Sequence, residues 1–170
     1  MVRAEAWAGG GAGFSASEMS PSPTASHAGP VLLYDGECGL CNRAVRMLLR
    51  IDRGAVLRFA TLQGVPGQDW LGRHGLALDN FSTLVFVRDW EGGDGGPGDY
   101  ALRTDGLAAA LETCGGLGTM LAWIRFVPRP VRDGAYKLVS RLRYRIFGEW
   151  RPRPLARPEF RERFIDGPPF

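Results

Sequence analysis

The sequence predicts an α/β fold in which a βαβ unit is followed by a helix, a β-hairpin and a further helix, with a helical C-terminal extension. Three observations support this prediction: short apolar runs of strand length, longer segments with apolar residues three and four positions apart, and Gly-rich turns between them. With 170 residues, the chain is long enough to bury a core without disulfide bonds.

The composition divides the chain into four parts. Residues 1–29 are rich in Ala, Gly, Ser and Pro and lack the apolar segment of a signal peptide, which predicts a flexible tail. The predicted core covers 30–116, the helical extension 117–148, and a Pro/Arg-rich C-terminal tail 149–170. No run reaches the roughly 20 apolar residues that span a bilayer. Without a signal peptide or a membrane span, we expect a cytoplasmic protein, in which peripheral membrane contact is possible but disfavoured. The net charge of only +3 gives no reason to expect a nucleic-acid partner.

The βαβ unit is predicted at the start of the core. Residues 31–34 are an apolar run typical of a buried strand, and the Asp35-Gly36 pair indicates a turn. A helix runs from there to Asp52, and residues 56–62 form the second strand. The helix has an apolar face and a basic face, formed by Ala44, Val45, Leu48 and Leu49 and by Arg43, Arg46 and Arg50.

The next part of the core is predicted from turns and strand propensity. A short helix near 68–74 precedes a run of strand-forming residues at 83–87, which we expect in the centre of the sheet. The acidic, Gly-rich residues 89–99 indicate a hairpin loop that leads to a strand at 100–103.

The last core helix follows that strand. Thr104 or Asp105 is expected to cap it, and its buried face is predicted to contain Leu107, Leu111 and Cys114. The complete element order, βαβ-α-ββ-α, is that of a thioredoxin-like core. In such a core, a cysteine pair lies where the first strand meets its helix.

A basic and aromatic helical extension follows the core. Pro128 and Pro130 separate a largely apolar segment, 117–127, from a helix that ends near Phe147. We expect an apolar stripe to pack this helix on the core and to leave its basic face in solvent. The stripe consists of Val131, Ala135, Leu138, Leu142 and Ile146, and the other face includes Tyr136, Arg141, Arg143, Tyr144 and Arg145.

Two cysteines, Cys38 and Cys41, are spaced C-x-x-C directly after the first predicted strand and its turn. This spacing places both thiols at a helix N-terminus, where unpaired N–H groups and the helix dipole favour a thiolate. Three cysteines in all are too few for a disulfide framework and fit a reducing compartment. The pattern predicts a redox dithiol.

A zinc site is the alternative chemistry for a C-x-x-C pair, and it requires two further ligands. The candidates are His27 in the tail, His74 and Cys114, none of which has a partner at ligand spacing. Cys114 is expected in the core, and His74 against the last carbonyls of its helix. The sequence therefore favours a dithiol without a metal, and a pair that is present but idle stays open as a third interpretation.

Asp35 has three possible roles that the sequence leaves open. Its charge can raise the pKa of the nearby thiols by repulsion, and it can accept a proton from Cys41 during resolution. It can also bind the backbone of its own turn, as Asp-Gly pairs commonly do.

The chain resembles the DCC family of thiol-disulfide oxidoreductase-like proteins, which is named for an Asp-x-x-Cys-x-x-Cys signature. Asp35, Cys38 and Cys41 match this signature within YDGECGLCN at 34–42. The resemblance covers roughly 31–148 and includes RFATLQ at 58–63, VPRPVRD at 127–133 and RYRIFG at 143–148.

The resemblance implies a thioredoxin-like fold and thiol–disulfide exchange without a bound cofactor. Cys38, taken as the more exposed thiol, attacks a substrate disulfide, and Cys41 resolves the mixed disulfide. The implied partner is a protein or small molecule that bears a disulfide or a dithiol. Catalytic roles are expected for Cys38, Cys41 and Asp35.

Two features depart from related proteins. Residues 149–154 lack the further cysteine that family members often carry after the Phe-Gly pair, and residues 80–83 lack the cis-proline that thioredoxins place opposite the dithiol. They motivate a second hypothesis: a non-catalytic, thioredoxin-like binding or accessory module that acts through its basic C-terminal helices.

Overall fold

The computed structural model describes residues 29–79, 81, 83–92, 98–151 and 153–167. Apart from Gly29, the predicted N-terminal tail, residues 1–29, lies outside the described residues, and His27 lies outside them with it. The predicted hairpin loop at 89–99 is described only in part.

Within the described residues, four strands form one mixed sheet: β1 (Val31–Tyr34), β2 (Arg58–Thr61), β3 (Val85–Val87) and β4 (Tyr100–Leu102). Their order across the sheet is β2-β1-β3-β4. β1 is parallel to β2 and antiparallel to β3, and β3 forms an antiparallel hairpin with β4. The central place predicted for the strand at 83–87 is therefore confirmed.

Helices follow the strands in the predicted order, which confirms a mixed α/β fold consistent with the thioredoxin-like class. None of the helices in the described ranges is long and apolar enough to cross a membrane. The α-helices are α1 (Gly39–Ile51), α2 (Val65–Arg73), α3 (Arg103–Cys114), α4 (Leu117–Leu121) and α5 (Arg129–Phe147), with 3₁₀ helices at Ala122–Phe126 and Pro158–Arg163.

Side chains of β1 alternate between the two faces of the sheet. Leu32 and Tyr34 pack with residues of α1 and α3, whereas Val31 and Leu33 pack with residues of α2. All four are at most 1 % exposed. The sheet therefore lies between two helical layers, and the C-terminal end of β1 leads into the N-terminus of α1.

α3 begins without the predicted side-chain cap. Its N-cap residue is Leu102, and no side chain caps the first turn. Thr104 Oγ1 instead donates to Asp133 Oδ1 (3.4 Å), and Asp105 accepts from Arg132 Nη1 (2.8 Å). The predicted cap was wrong because both side chains bind α5.

The orientation of α5 reverses the prediction. Its buried residues are Arg132 and Arg143, whereas Val131, Leu138 and Ile146 of the apolar stripe are 60, 58 and 64 % exposed. Both arginines form ion pairs with acidic side chains of the core. These pairs set the rotation of the helix, so the expectation that the apolar stripe packs on the core was wrong.

The chain after α5 returns to the sheet. Arg163 forms a buried ion pair with Asp52 at the end of α1. Phe164 is buried, and its ring centroid lies 5.5 Å from that of Phe59 on β2. The 3₁₀ helix Pro158–Arg163 directly precedes this contact.

Candidate active site

The turn between β1 and α1 is held by its own polar groups. Cys38 N donates to the Asp35 carbonyl (3.3 Å), and Glu37 N donates to Asp35 Oδ1 (3.1 Å). The buried Asn42 amide donates to the carbonyls of Gly36 (2.7 Å) and Cys38 (3.1 Å). The predicted Asp-Gly turn is therefore present, and it places Cys38 directly before α1.

Cys38 is the N-cap of α1, and Cys41 follows about one helical turn later. Cys38 Sγ accepts a hydrogen bond from Cys41 N at 3.5 Å, and neither thiol is in a disulfide. Cys38 is 0 % exposed, whereas Cys41 is half-buried. The expectation that Cys38 is the more exposed thiol was wrong.

The backbone of residues 148–150, the cover segment, lies across Cys38 in an antiparallel bridge. Gly39 N donates to the first carbonyl of this segment (3.1 Å), and Trp150 N donates to the Glu37 carbonyl (2.6 Å). Glu149 and Trp150 of the cover segment are two of the positions, 149–154, at which the sequence lacks the further cysteine of family members. Its backbone pairing explains the burial of Cys38.

The close approach of the cover segment depends on Gly39. An added Cβ would lie 2.6 Å from the Phe147 carbonyl oxygen. Two arginines of α1 hold the neighbouring aromatic rings: Arg43 lies over the Phe147 ring (5.5 Å to the centroid), and Arg46 lies over the Trp150 ring (5.0 Å). The basic face of α1 thus binds the end of α5 and the cover segment.

Arg143 of α5 connects the acidic and thiol groups of the site. Its Nη2 lies 3.0 Å from Asp35 Oδ2 and donates to the Phe81 carbonyl at 2.9 Å. Its Nη1 donates to Cys41 Sγ at 3.4 Å. The side chains of Arg143 and Asp35 are only 8 % and 1 % exposed, so a buried cation lies beside the dithiol.

Asp35 accepts from four donors. Its Oδ1 binds Gln63 Nε2 (2.7 Å) as well as Glu37 N, and its Oδ2 binds the Tyr144 hydroxyl as well as Arg143. Burial and the hydrogen bond to Asp35 raise the pKa of Tyr144, so its hydroxyl stays protonated as the donor. Both carboxylate oxygens of Asp35 therefore have two partners each.

Arg143, Tyr144 and Gln63 were not predicted as site residues. The helical pattern placed both residues of α5 on a solvated face, far along the chain from the C-x-x-C motif. A signal was nevertheless present in the family resemblance. Gln63 closes the motif at 58–63, and Arg143 and Tyr144 open the motif at 143–148.

The surroundings separate the pKa values of the two thiols. A hydrogen bond from the Cys41 thiol lowers the pKa of Cys38 to about 6 against the opposing effect of burial, and the Arg143 guanidinium lowers it further. The same hydrogen bond, burial and the adjacent Cys38 charge raise the pKa of Cys41. These effects favour the thiolate form of Cys38 and the thiol form of Cys41.

The other candidate residues lie outside this site. Cys114 is 8 % exposed in the core, as predicted, and burial raises its pKa to about 11. His74 stacks on the Trp70 ring (3.9 Å), and its Nδ1 lies 2.7 Å from the Trp70 carbonyl oxygen, as predicted for a helix end. Among the described residues, no three His, Cys, Asp or Glu side chains group to hold a metal ion.

Comparison with known proteins identifies the family. The chain matches the DCC1-like thiol-disulfide oxidoreductase family over residues 32–149. It is 31 % identical over 135 residues to the uncharacterized protein YuxK of Bacillus subtilis, covering 79 % of this chain and 93 % of YuxK. It is 32 % identical over 120 residues to a chloroplastic DCC family protein of Arabidopsis thaliana, covering 70 % of this chain and 65 % of that protein. No solved structure matches the chain. The chain belongs to the DCC1-like thiol-disulfide oxidoreductase family.

Proposed function

We propose that this chain is a thiol–disulfide oxidoreductase that exchanges electrons through Cys38 and Cys41. The observation that carries the proposal is the geometry of the pair: Cys38 is the N-cap of α1 and accepts from Cys41 N, and the Arg143 guanidinium donates to Cys41 Sγ. This arrangement lowers the pKa of Cys38 to about 6 and raises that of Cys41. A thiolate beside a protonated thiol supplies a nucleophile and a resolving group. Membership of the family supports the same chemistry.

In the proposed reaction, the Cys38 thiolate attacks one sulfur of a substrate disulfide. A mixed disulfide forms, and the other substrate sulfur leaves as a thiolate. Cys41 then gives its proton to that departing thiolate and attacks Cys38 Sγ, which releases the second substrate sulfur as a thiolate that takes its proton from water. One substrate disulfide is reduced to two thiols as one Cys38–Cys41 disulfide forms, and the reverse reaction oxidises a dithiol.

Asp35 and Arg143 act as positioning residues in this proposal. Asp35 orients the guanidinium through the 3.0 Å ion pair, and the guanidinium donates to Cys41 Sγ at 3.4 Å. A fixed cation stabilises negative charge on whichever sulfur carries it during exchange. The turn hydrogen bond from Glu37 N to Asp35 is present, whereas proton transfer from Cys41 to Asp35 would require one of the four donors to move away.

Access to Cys38 requires the cover segment to move, because this cysteine is 0 % exposed. The two backbone hydrogen bonds of the segment, 3.1 and 2.6 Å long, are bonds that an extended substrate chain can replace with its own backbone. Opening of the cover segment is therefore the first step of the proposed cycle.

The proposed substrate is a protein or small molecule that carries a disulfide or a dithiol. The cysteine pair itself carries the electrons, so the proposal includes no cofactor. A cytoplasmic location is part of the proposal, since thiols stay reduced in that compartment.

A second candidate function is a non-catalytic binding or accessory module of thioredoxin-like shape that acts through its basic C-terminal helices. The observation that favours it is the cover segment over Cys38, because a permanently closed cover leaves the dithiol idle. The two functions differ in whether the thiols exchange with an external disulfide.

The test is the reduction potential of the Cys38–Cys41 pair in the full chain, measured by mass-resolved thiol trapping in glutathione and dithiothreitol buffers. We expect a reversible two-electron couple between about −270 and −120 mV, the range of thioredoxin-like proteins. Cys114→Ser is the matched control and should keep the couple, because Cys114 lies in the core.

Two results would contradict the proposal. One is a Cys38→Ser variant that keeps full disulfide-exchange activity. The other is a cysteine pair that never forms a disulfide, which would favour the binding module, or that contains stoichiometric zinc in the same sample.

A further inference from the structure

We propose that α4, the 3₁₀ helix Ala122–Phe126 and α5 bind the surface of an anionic phospholipid membrane, independently of the dithiol. The feature behind this proposal is a set of large apolar side chains in solvent, the apolar ridge. Single apolar side chains on a surface need no explanation, whereas several large ones on consecutive helices indicate an interaction site. The ridge consists of Met120, Trp123, Phe126, Val131, Leu138 and Ile146, which are 69, 71, 75, 60, 58 and 64 % exposed.

The ridge stays in solvent because the opposite side of α5 is bound to the core. Arg132 donates to Asp105 at 2.8 Å, and Arg143 pairs with Asp35 at 3.0 Å. The Tyr136 hydroxyl accepts from a backbone N–H of the core at 3.0 Å. Rotating the helix to bury its apolar stripe would break these buried polar contacts, and leaving a buried polar group unpaired is costly. The exposed apolar stripe is therefore a stable feature of the fold.

The part of the ridge before α5 is also held firmly. Ala122 is 2 % exposed in the core, so the 3₁₀ helix that presents Trp123 and Phe126 is anchored from beneath. The two aromatic rings contact each other edge to face, 5.9 Å between centroids. Gly118 packs so closely that an added Cβ would lie 2.3 Å from the Leu111 carbonyl oxygen.

The solvent-facing side of α5 carries a row of basic side chains. Residues 117–147 contain seven Lys and Arg and one Asp, but Arg125, Arg129, Arg132 and Arg143 form ion pairs with acidic side chains of the core. Lys137, Arg141 and Arg145 are exposed at intervals of four residues, so they form a row beside the apolar stripe of α5. Basic side chains of this length can lie along apolar surface while their charges reach anionic headgroups.

The combination selects a membrane surface over other occupants. The ridge side chains are more than half exposed, so they protrude like an inserting surface and do not line a groove for a partner helix. Docking of a second copy of the chain on the same face would bring two rows of basic side chains together, and repulsion between like charges opposes this arrangement. An amphipathic helix with one apolar face and one face rich in Lys and Arg typically lies in the plane of the membrane–water interface.

The test is flotation of the full-length protein with vesicles of phosphatidylcholine, alone or with added phosphatidylglycerol. We expect binding to the anionic vesicles only, and weaker binding as salt is added. Replacing Trp123 and Phe126 together by Ala should weaken binding about tenfold or more. Reversing Lys137, Arg141 and Arg145 to Glu should weaken it at least about tenfold.

Matched controls lie on other parts of the surface. Val65→Ala removes an apolar side chain that is 83 % exposed. Replacing Arg53, Arg73 and Arg161 together by Glu changes the net charge by the same amount at exposed positions. Both controls should bind anionic vesicles like the unchanged chain, and thermal melts show whether each variant is folded.

Several outcomes would overturn the proposal. The first is that the unchanged chain does not bind anionic vesicles. The second is that the control variants lose as much vesicle binding as the ridge variants do. A concentration-dependent dimer that is lost in the Trp123→Ala/Phe126→Ala variant would assign the ridge to a second copy. Equally strong binding to soluble polyglutamate, lost in the same variants, would assign it to an acidic polypeptide.

Discussion

Replacing Arg143 by Gln removes the buried cation that Asp35 and the Cys41 thiol share. Asp35 would stay 1 % exposed without its ionic partner, and removal of one partner from a buried pair costs about 3–5 kcal/mol. Three donors remain on its carboxylate, so we expect the lower end, about 3 kcal/mol. For a chain of this size, that corresponds to a fall in Tm of about 6–12 °C.

The same substitution should raise the pKa of Cys38, because the Arg143 guanidinium lowers it in the native protein. The assay is the rate of alkylation of Cys38 by iodoacetamide as a function of pH, with the product located by mass spectrometry. In the unchanged chain, the rate should be half-maximal near the Cys38 pKa of about 6. In Arg143→Gln, this midpoint should move upward, toward the value of about 8.5 for a free thiol.

Arg141→Gln is the matched control, since Arg141 lies on the same helix and is exposed. This substitution should change the Tm by no more than about 1–2 °C and should leave the alkylation midpoint of Cys38 unchanged. The Cys38 alkylation midpoint distinguishes a positioning role of Arg143 from a purely structural one. If Arg143 only supported the fold, its replacement would lower the Tm but leave the alkylation midpoint of the folded protein unchanged. An Arg143→Gln variant with the same midpoint and Tm as Arg141→Gln would refute the reasoning.

Three further predictions concern the dithiol and its cover. Cys41→Ala should raise the pKa of Cys38 more than the arginine substitution does, because the Cys41 hydrogen bond is the largest cause of the low value. A full shift of the Cys38 pKa to about 8.5 would lower its thiolate fraction at neutral pH about thirtyfold. An unchanged alkylation midpoint in Cys41→Ala would contradict this prediction. Trp150→Ala should loosen the cover segment, so that a bulky disulfide reagent modifies Cys38 faster at an unchanged pKa; an unchanged rate would show that the cover does not limit access. Gly39→Ala should cost about 1–3 kcal/mol in urea unfolding, because its Cβ would meet a backbone oxygen at 2.6 Å. Gly134→Ala in α5 meets nothing within 4 Å, so it should be neutral or stabilising by up to about 1 kcal/mol, and equal effects at both glycines would disprove the packing argument.

The first half of the site could be predicted because its signals are local. The apolar run of β1, the Asp-Gly turn and the C-x-x-C spacing together define a strand, a turn and a helix start within a short stretch of chain. Each of these depends on backbone conformation and on neighbours a few residues away. The position of Cys38 and Cys41 at this junction followed from those signals.

The exposure of the two thiols could not be predicted in the same way. Cys38 is buried by the cover segment, which lies far along the chain and pairs through backbone hydrogen bonds. Backbone pairing carries little side-chain signature, so no pattern in the residues after Gly148 indicated it. The requirement for Gly39 also became visible only once the two segments were seen in contact.

The helical pattern of α5 was predicted, and its rotation was predicted wrongly. Periodicity shows which residues share a face, but it does not show which face has partners. Here Asp35 and Asp105 lie where α5 packs, and their ion pairs with Arg143 and Arg132 bring the polar face inward. The energy of burying paired charges depends on whether each finds its partner, which is a property of the assembled fold.

By itself, the sequence determined the α/β class, the strand-to-helix junction of the dithiol and membership of a thiol-disulfide oxidoreductase family. These depend on local periodicity, turn residues and motif spacing, all of which are written in neighbouring positions. The tertiary structure alone decided that Arg143 lies beside the thiols, that Cys38 is covered and that an apolar ridge faces solvent. These depend on contacts between distant segments, where the pairing of buried charges and backbone groups outweighs the preference of any one helix face.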